Sequence, residues 1–226
     1  YSFWLKKDLA DTKIYDFGDN YSPFKPIYDV SKELDESYRR IRSVVGDGKK
    51  VVVLGGSHLI TYPVVKAIAD FHEISVIHFD AHADLRDKYN GEKFSHATVM
   101  KRVAEIIDPE NLYQFGIRSG IAEELEYTRN IYPNLNGLEK AVENIEGKVY
   151  VTVDIDVFDP AFAPGTGTPE PGGVTPAEFF EVLNVLAKLE VVGFDVVEVS
   201  PPYDYADITS ILAARIVRDF ILAFFA

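Results

Sequence analysis

The chain has 226 residues, 47% hydrophobic and 26% charged, a globular balance that excludes a disordered tail, a collagen-like repeat or a coiled coil. Its 23 basic and 36 acidic residues give a net charge of −13, which disfavours nucleic-acid binding and suits a small cationic molecule or a metal cation. Cysteine is absent, which excludes disulfides, thiolate zinc sites and a cysteine nucleophile, and fits the reducing cytoplasm.

In chain order, short apolar, β-branched runs alternate with amphipathic stretches. Strands are predicted at 13–17, 51–54, 75–79, 112–117, 149–153 and 191–199, each mostly continuous, as strands covered on both faces should be. Helices are predicted near 31–45, 59–71, 97–107, 120–131, 137–146, 176–189 and 208–225. The helix at 176 has the clearest start, with Thr175 as cap, Pro176 at the first position and Glu178 completing a capping box. The alternation predicts βα units, a mainly parallel sheet and one domain over residues 1–226. Residues 159–173, rich in proline and glycine, fall inside a βα connection and read as an active-site loop. The apolar run 211–226 is interrupted by Arg215, Arg218 and Asp219, so no segment reaches the ~18 residues of a membrane span. Its end, FILAFFA, reads as core or subunit interface. No signal segment opens the chain, and its first residue is Tyr1, so the natural N-terminus is expected further upstream.

The strand ends carry the chemistry. The run 51–54 leads into GGSH, ending at His58; 75–79 leads into Asp80, His82 and Asp84; 149–153 leads into Asp154 and Asp156; the run from 191 ends near Glu198. In an open parallel sheet, ligands bind beyond the carboxyl ends of the strands, so these groups are expected to converge. Asp80, His82 and Asp84 are alternate residues, which an extended segment aims the same way. Taken singly, a polar turn explains Asp154 and Asp156, and a buried or capping histidine explains His58. Together, two imidazoles and four carboxylates call for cations to offset their repulsion. The donor set suits Mn²⁺, Fe²⁺ or Co²⁺. Six ligand residues exceed the needs of one ion with an open position, and two ions with shared carboxylates fit better.

These segments resemble the ureohydrolase (arginase/agmatinase) family. The matching stretches are GGSHLIT, HFDAHADLRD, SHATVMKR, VTVDIDVFDPAFAPGTGTPEPGG and GFDVVEVSPPYD, with a weaker match from DITSILAARI. The resemblance implies a three-layer α/β/α sandwich, two Mn²⁺ ions per subunit, and hydrolysis of a guanidinium compound with release of urea. It implies that one ion is held by His58, Asp80, Asp84 and Asp154, and the other by Asp80, His82, Asp154 and Asp156. It gives His96 the role of proton shuttle and Glu198 that of guanidinium binder, and Asp84 joins them in the catalytic set. It further implies a homo-oligomer, a trimer or hexamer, without nucleic-acid or membrane partners. Two departures stand out. Ser57 occupies a place where the family usually has an acidic residue, which bears on the support of His58. The family's usual N-terminal segment with its first strand is also absent.

The loop 86–95, RDKYNGEKFS, looks like the agmatinase version and lacks the carboxylate-binding stretch of arginases. Agmatine, which would yield urea and putrescine, is therefore the expected substrate, with Glu123 and Glu124 as rim residues for its ammonium. Arginase, guanidinobutyrase or formimidoylglutamase activity, or a non-catalytic role, are the alternatives inside the family. A Mg²⁺-dependent phosphohydrolase with Asp154 as nucleophile leaves GGSH and DAHAD unexplained. His78 reads as structural, His72 as a surface cap, Arg118 as a loop or ion-pair residue, and Glu170 as a residue lining the site.

Overall fold

The computed structural model describes residues 1–19 and 29–226. Six strands, β1 (Val51–Leu54), β2 (Ile74–Phe79), β3 (Leu112–Phe115), β4 (Ile131–Tyr132), β5 (Lys148–Asp154) and β6 (Glu190–Val197), form one sheet in the order β1-β6-β5-β2-β3-β4. Every pairing in it is parallel. Seven helices cover it: α1 (Val30–Gly46), α2 (Thr61–Ala69), α3 (Val99–Ile107), α4 (Ala122–Leu125), α5 (Leu138–Glu143), α6 (Pro176–Leu186) and α7 (Ile208–Phe224).

The strands are apolar on both sides because both sides are covered. β2 is buried along its whole length. Ile77 and Phe79 join the core under α5, α6 and α7, together with Leu138, Phe179 and Phe220. Ile74 and Val76 turn to the other face and meet Leu34, Val64 and Val103 from α1, α2 and α3. The result is the three-layer α/β/α sandwich. Because every pairing is parallel, all the strands end on one edge, where the polar residues collect.

Helix α6 starts as its sequence requires. Thr175 Oγ1 accepts the Glu178 N–H at 3.3 Å, and Glu178 Oε2 accepts the Thr175 N–H at 2.8 Å. The segment FILAFFA closes the core: Phe220 and Leu222 are buried, and Phe220 stacks on Phe179 at 6.0 Å.

Two expectations fail. Residues 13–17 form no strand; Tyr15 is 83% exposed and Phe17 lies under the Arg40 guanidinium at 4.8 Å. An apolar run without a strand beside it gains nothing from extended geometry. Residues 120–131 are not one helix but the single turn α4, followed by β4. The segment is tied elsewhere: the Asn130 carbonyl accepts the Gln114 N–H at 2.8 Å, and the Thr128 side chain donates through Oγ1 to the Pro109 carbonyl at 3.0 Å.

Candidate metal centre and active-site cleft

Four of the strands, β1, β2, β5 and β6, hand polar groups to the shared edge. After β1 the chain turns through Gly55 and Gly56 into a short 3-10 turn, His58–Ile60, capped by Ser57 Oγ accepting the Leu59 N–H at 3.3 Å. Asp80 follows β2 directly, and its N–H donates to the Phe115 carbonyl at 3.1 Å. Gly116 has φ 92°, and a Cβ there would sit 2.8 Å from the Asp80 carbonyl oxygen. Only glycine lets β3 end so close to Asp80. Asp154 ends β5, and its Oδ1 accepts the Asp156 N–H at 2.9 Å. Glu198 follows β6 with φ 61°.

These groups form two adjoining sets. His58 Nδ1 lies 3.2 Å from Asp80 Oδ2, 3.3 Å from Asp84 Oδ2 and 3.2 Å from Asp154 Oδ2. His82 Nδ1 lies 3.4 Å from Asp80 Oδ1 and 3.0 Å from Asp156 Oδ2. Asp80 thus offers one oxygen to each set. All six sequence-selected residues meet here, although not along the straight segment expected of 80–84. Asp84 has φ 54°, and the backbone around Ala81 is pinned by the Arg118 and Ser119 N–H groups at 2.8 and 3.0 Å. This turn sends Asp80 and Asp84 toward His58 and His82 toward Asp156.

The site's own electrostatics ask for cations. Burial, then the neighbouring Asp80, raises the Asp84 carboxyl to about 7. Burial and Asp80 likewise raise Asp156 to about 6. Burial, Asp156 and Asp80 push Asp154 well above the usual carboxylate range. His82 resists the opposing effect of burial and rises to about 11 through Asp156 and Asp80. These protons stand in for missing positive charge. The fit to metal is most direct at His58 Nδ1, which is buried and makes no directed hydrogen bond although three carboxylate oxygens surround it. A ring nitrogen and three carboxylate oxygens drawn around one point are the donor set of a hard or borderline divalent ion.

The comparisons with known proteins agree. The family model described as "Arginase family" matches residues 1–223. The chain belongs to the arginase family. An agmatinase of Bacillus anthracis is 41% identical over 98% of this chain and 79% of its own. A crystal structure from Clostridium difficile has a TM-score of 0.93 at 39% identity, covering 100% of this chain and 84% of that one. The agmatine ureohydrolase of Thermoplasma volcanium has a TM-score of 0.85 at 34% identity, covering 99% and 77%. The chain is a ureohydrolase enzyme of this family, whose members are typically metal-dependent. No helix among the described residues is long and apolar enough to cross a membrane.

Beside the cluster lies a cleft of about 250 Å³ lined by His82, Asp84, Tyr89, His96, Glu124 and Glu198, among others. Glu198 Oε1 accepts the His58 N–H at 2.6 Å, which ties the carboxylate to the turn His58–Ile60. His96 is exposed and opens the turn His96–Thr98, with the Tyr89 ring edge-on at 5.4 Å. That turn is closed by Thr98 Oγ1, which accepts the Ser95 N–H at 3.0 Å, so His96 is not spent as its cap.

Of the two rim glutamates, Glu124 lines the cleft and Glu123 is exposed outside it, one helical position around α4. Glu124 also accepts the Leu85 and Ile121 N–H groups at 3.0 and 2.8 Å. Arg118 is a loop organiser: it donates to the carbonyls of Asp156 at 2.8 Å and Glu170 at 2.6 Å. Glu170 therefore contributes its carbonyl to that clamp, while Thr168 of the same loop reaches Asp156 Oδ2 at 3.3 Å. His78 supports the cluster, with Nε2 2.8 Å from Asp80 Oδ2 and Nδ1 2.8 Å from Gln114 Nε2. His72 is partly buried beside Lys148, whose Nζ is 3.2 Å from its Nδ1.

The sequence reading passed over the residues behind the site, above all Thr152 and Asp195. Thr152 Oγ1 is 3.0 Å from His58 Nε2 and donates to Asp195 Oδ1 at 2.5 Å. The available signal was one aspartate inside the apolar run of β6, where a charge needs partners.

Proposed function

We propose that the chain hydrolyses agmatine to urea and putrescine, using two Mn²⁺ ions. His58, Asp80, Asp84 and Asp154 would hold one ion, and Asp80, His82, Asp154 and Asp156 the other. The observation that carries this reading is His58 Nδ1, buried without a directed hydrogen bond among three carboxylate oxygens, next to a cleft that holds Glu198 and His96. The agmatinase named among the relatives supports the substrate.

When bound, the divalent ions would supply Lewis-acid chemistry that brings the pKa of water toward neutrality. The chain's residues do the rest. Glu198, anchored by the His58 N–H, pairs its carboxylate with the planar guanidinium and sets the carbon over the metal-facing turn. His96, exposed at the cleft mouth, passes a proton to the departing amine. Arg118 clamps residues 156 and 170 and so holds the proline-glycine loop against the site.

The cleft favours a substrate with a cationic tail. Asp84, Asp154, Glu124 and Glu198 line it. The lining cation Arg86 lies 3.8 Å from Glu124 and over the Tyr89 ring at 5.4 Å, so it is already engaged. With Asp84 and Asp154 assigned to the ions and Glu198 to the guanidinium, Glu124 is the lining carboxylate left for the tail, and arginine's carboxylate would meet it with Arg86 already engaged. The same reading makes residues 1–226 one catalytic domain of a cytoplasmic trimer or hexamer, a view that rests on the family resemblance.

The test is urea release from agmatine, arginine and guanidinobutyrate, and formamide release from formimidoylglutamate, by the Mn²⁺-supplemented protein. The largest kcat/KM is expected for agmatine. An equal or larger value for arginine would overturn the substrate assignment, and neither urea nor formamide from any of them would favour a non-catalytic role.

A further inference from the structure

Behind the cluster of strand-end groups, on the side of the sheet covered by α2, four polar residues are buried together among apolar core residues. Asp195 lies in the middle of β6, is fully buried, and pairs in register with Thr152 of β5. Its Oδ1 accepts the Thr152 hydroxyl at 2.5 Å, and its Oδ2 accepts the Tyr150 hydroxyl at 2.7 Å and the Thr61 hydroxyl at 2.8 Å. Asp195 touches neither the cleft nor any carboxylate of the cluster. A buried carboxylate kept in a core at this cost needs a reason, and the hydrogen-bond direction supplies one.

Burial raises the Asp195 carboxyl, but three hydroxyls converge on its two oxygens and favour the ionised form, which only accepts. Thr152 must therefore spend its single proton on Asp195, and toward His58 its oxygen can only accept. His58 Nε2, 3.0 Å from that oxygen, must then carry the ring proton. A neutral imidazole with its proton on Nε2 has its lone pair on Nδ1, the atom that faces Asp80, Asp84 and Asp154. We propose that Asp195, acting through Thr152, is a positioning residue that fixes the His58 tautomer and ring orientation needed to bind a divalent cation at Nδ1. Ser57 is engaged elsewhere, its Oγ accepting the Leu59 N–H at 3.3 Å. The remaining partners of Asp195 hold the carboxylate in place; Tyr150 is its second donor but lies away from His58, which makes it an internal control.

The proposal rests on the reading of His58 as a metal ligand, and the experiment separates the two. Metal-free full-length protein is titrated with Mn²⁺ by calorimetry, with the thermal midpoint measured on each variant. Outer partners of ligating histidines typically carry 10–100-fold in metal affinity. Thr152→Val is expected to weaken one class of Mn²⁺ site by that factor, and Thr152→Ser to restore it. Asp195→Asn, which lets Thr152 reverse its proton, is expected to match Thr152→Val. Tyr150→Phe removes an Asp195 partner of equal length and is expected to lower the midpoint without changing Mn²⁺ affinity. If Tyr150→Phe weakens Mn²⁺ as much as Thr152→Val, or if Thr152→Val binds Mn²⁺ like the parent, the relay is wrong. If His58→Ala also binds like the parent, the fault lies with the ligand reading itself. Should Asp195→Asn fail to fold, the Thr152→Val and Thr152→Ser pair decides alone.

Discussion

The two faces of the sheet are built to different ends. Under α5, α6 and α7 the core is apolar and rich in aromatics, with Phe79, Phe158, Phe179 and Phe220 packed ring against ring. Under α2 the core admits His58, Thr61, Tyr150, Thr152 and Asp195, all buried and joined by hydrogen bonds. The first face is packed mainly with rings and aliphatic side chains and supplies stability, its buried Asp219 in α7 being paired with Arg215 and Arg218. The second gives up apolar contact to hold an imidazole at the strand ends in one state. The hydrogen-bonded support of His58 therefore comes from the α2 side, and substitutions on the two sides should have separable consequences.

The sharpest break comes at the edge itself. Asp80→Asn should leave the protein folded and remove urea release, since Asp80 has an oxygen in each ligand set. Activity within a few-fold of the parent would refute the shared-carboxylate arrangement. His96→Ala should slow turnover by roughly 10²–10⁴-fold, the range of a lost general acid–base group, with Mn²⁺ affinity and thermal midpoint unchanged. A mutant with parental kcat would remove His96 from the chemistry.

On the apolar face, Phe179→Ala should cost about 3–5 kcal/mol of stability through the lost rings and the cavity left behind. Its Mn²⁺ affinity, measured where it remains folded, should match the parent. Weakened Mn²⁺ binding there would show that the faces are not independent.

The smallest expected effect is a pH dependence. Before a cation binds, His82 must lose a proton held up to about 11, and Asp84, raised to about 7, and Asp156, raised to about 6, must ionise fully. Mn²⁺ affinity should therefore rise with pH from 6 to 8, with protons released. Calorimetry in buffers of different ionisation enthalpy reads this directly; pH-independent binding without proton release would contradict it.

How much of this was legible in the sequence follows from the same contrast. Strands buried on both faces announce themselves as apolar runs, so β1, β2, β3, β5 and β6 were found, with ends misplaced by a residue or two. The two-residue strand β4 has too few residues for a pattern, and the exposed 13–17 run has the pattern without the neighbour. Polar residues at strand ends also stood out, because nothing structural demands His58, Asp80, Asp154 and Asp156 there together. Asp195 did not, since its meaning depends on a register with Thr152 across two strands far apart in sequence. Glu123 and Glu124 were indistinguishable as neighbours in a string, and only the turn of α4 selects Glu124 for the cleft. Asp84 and Glu198 sit at positive φ, at 54° and 61°, which no local pattern reveals.

The central claim is that the carboxylate and imidazole cluster at the strand ends is a metal centre that makes this arginase-family chain an agmatine hydrolase. It is tested most directly by following urea release from agmatine by one preparation before chelation, after chelation, and after reloading with Mn²⁺. The account requires that release stop on chelation and return on reloading, with two Mn²⁺ per chain by elemental analysis. Urea release that survives complete metal removal, or that is absent at full Mn²⁺ occupancy, would contradict it.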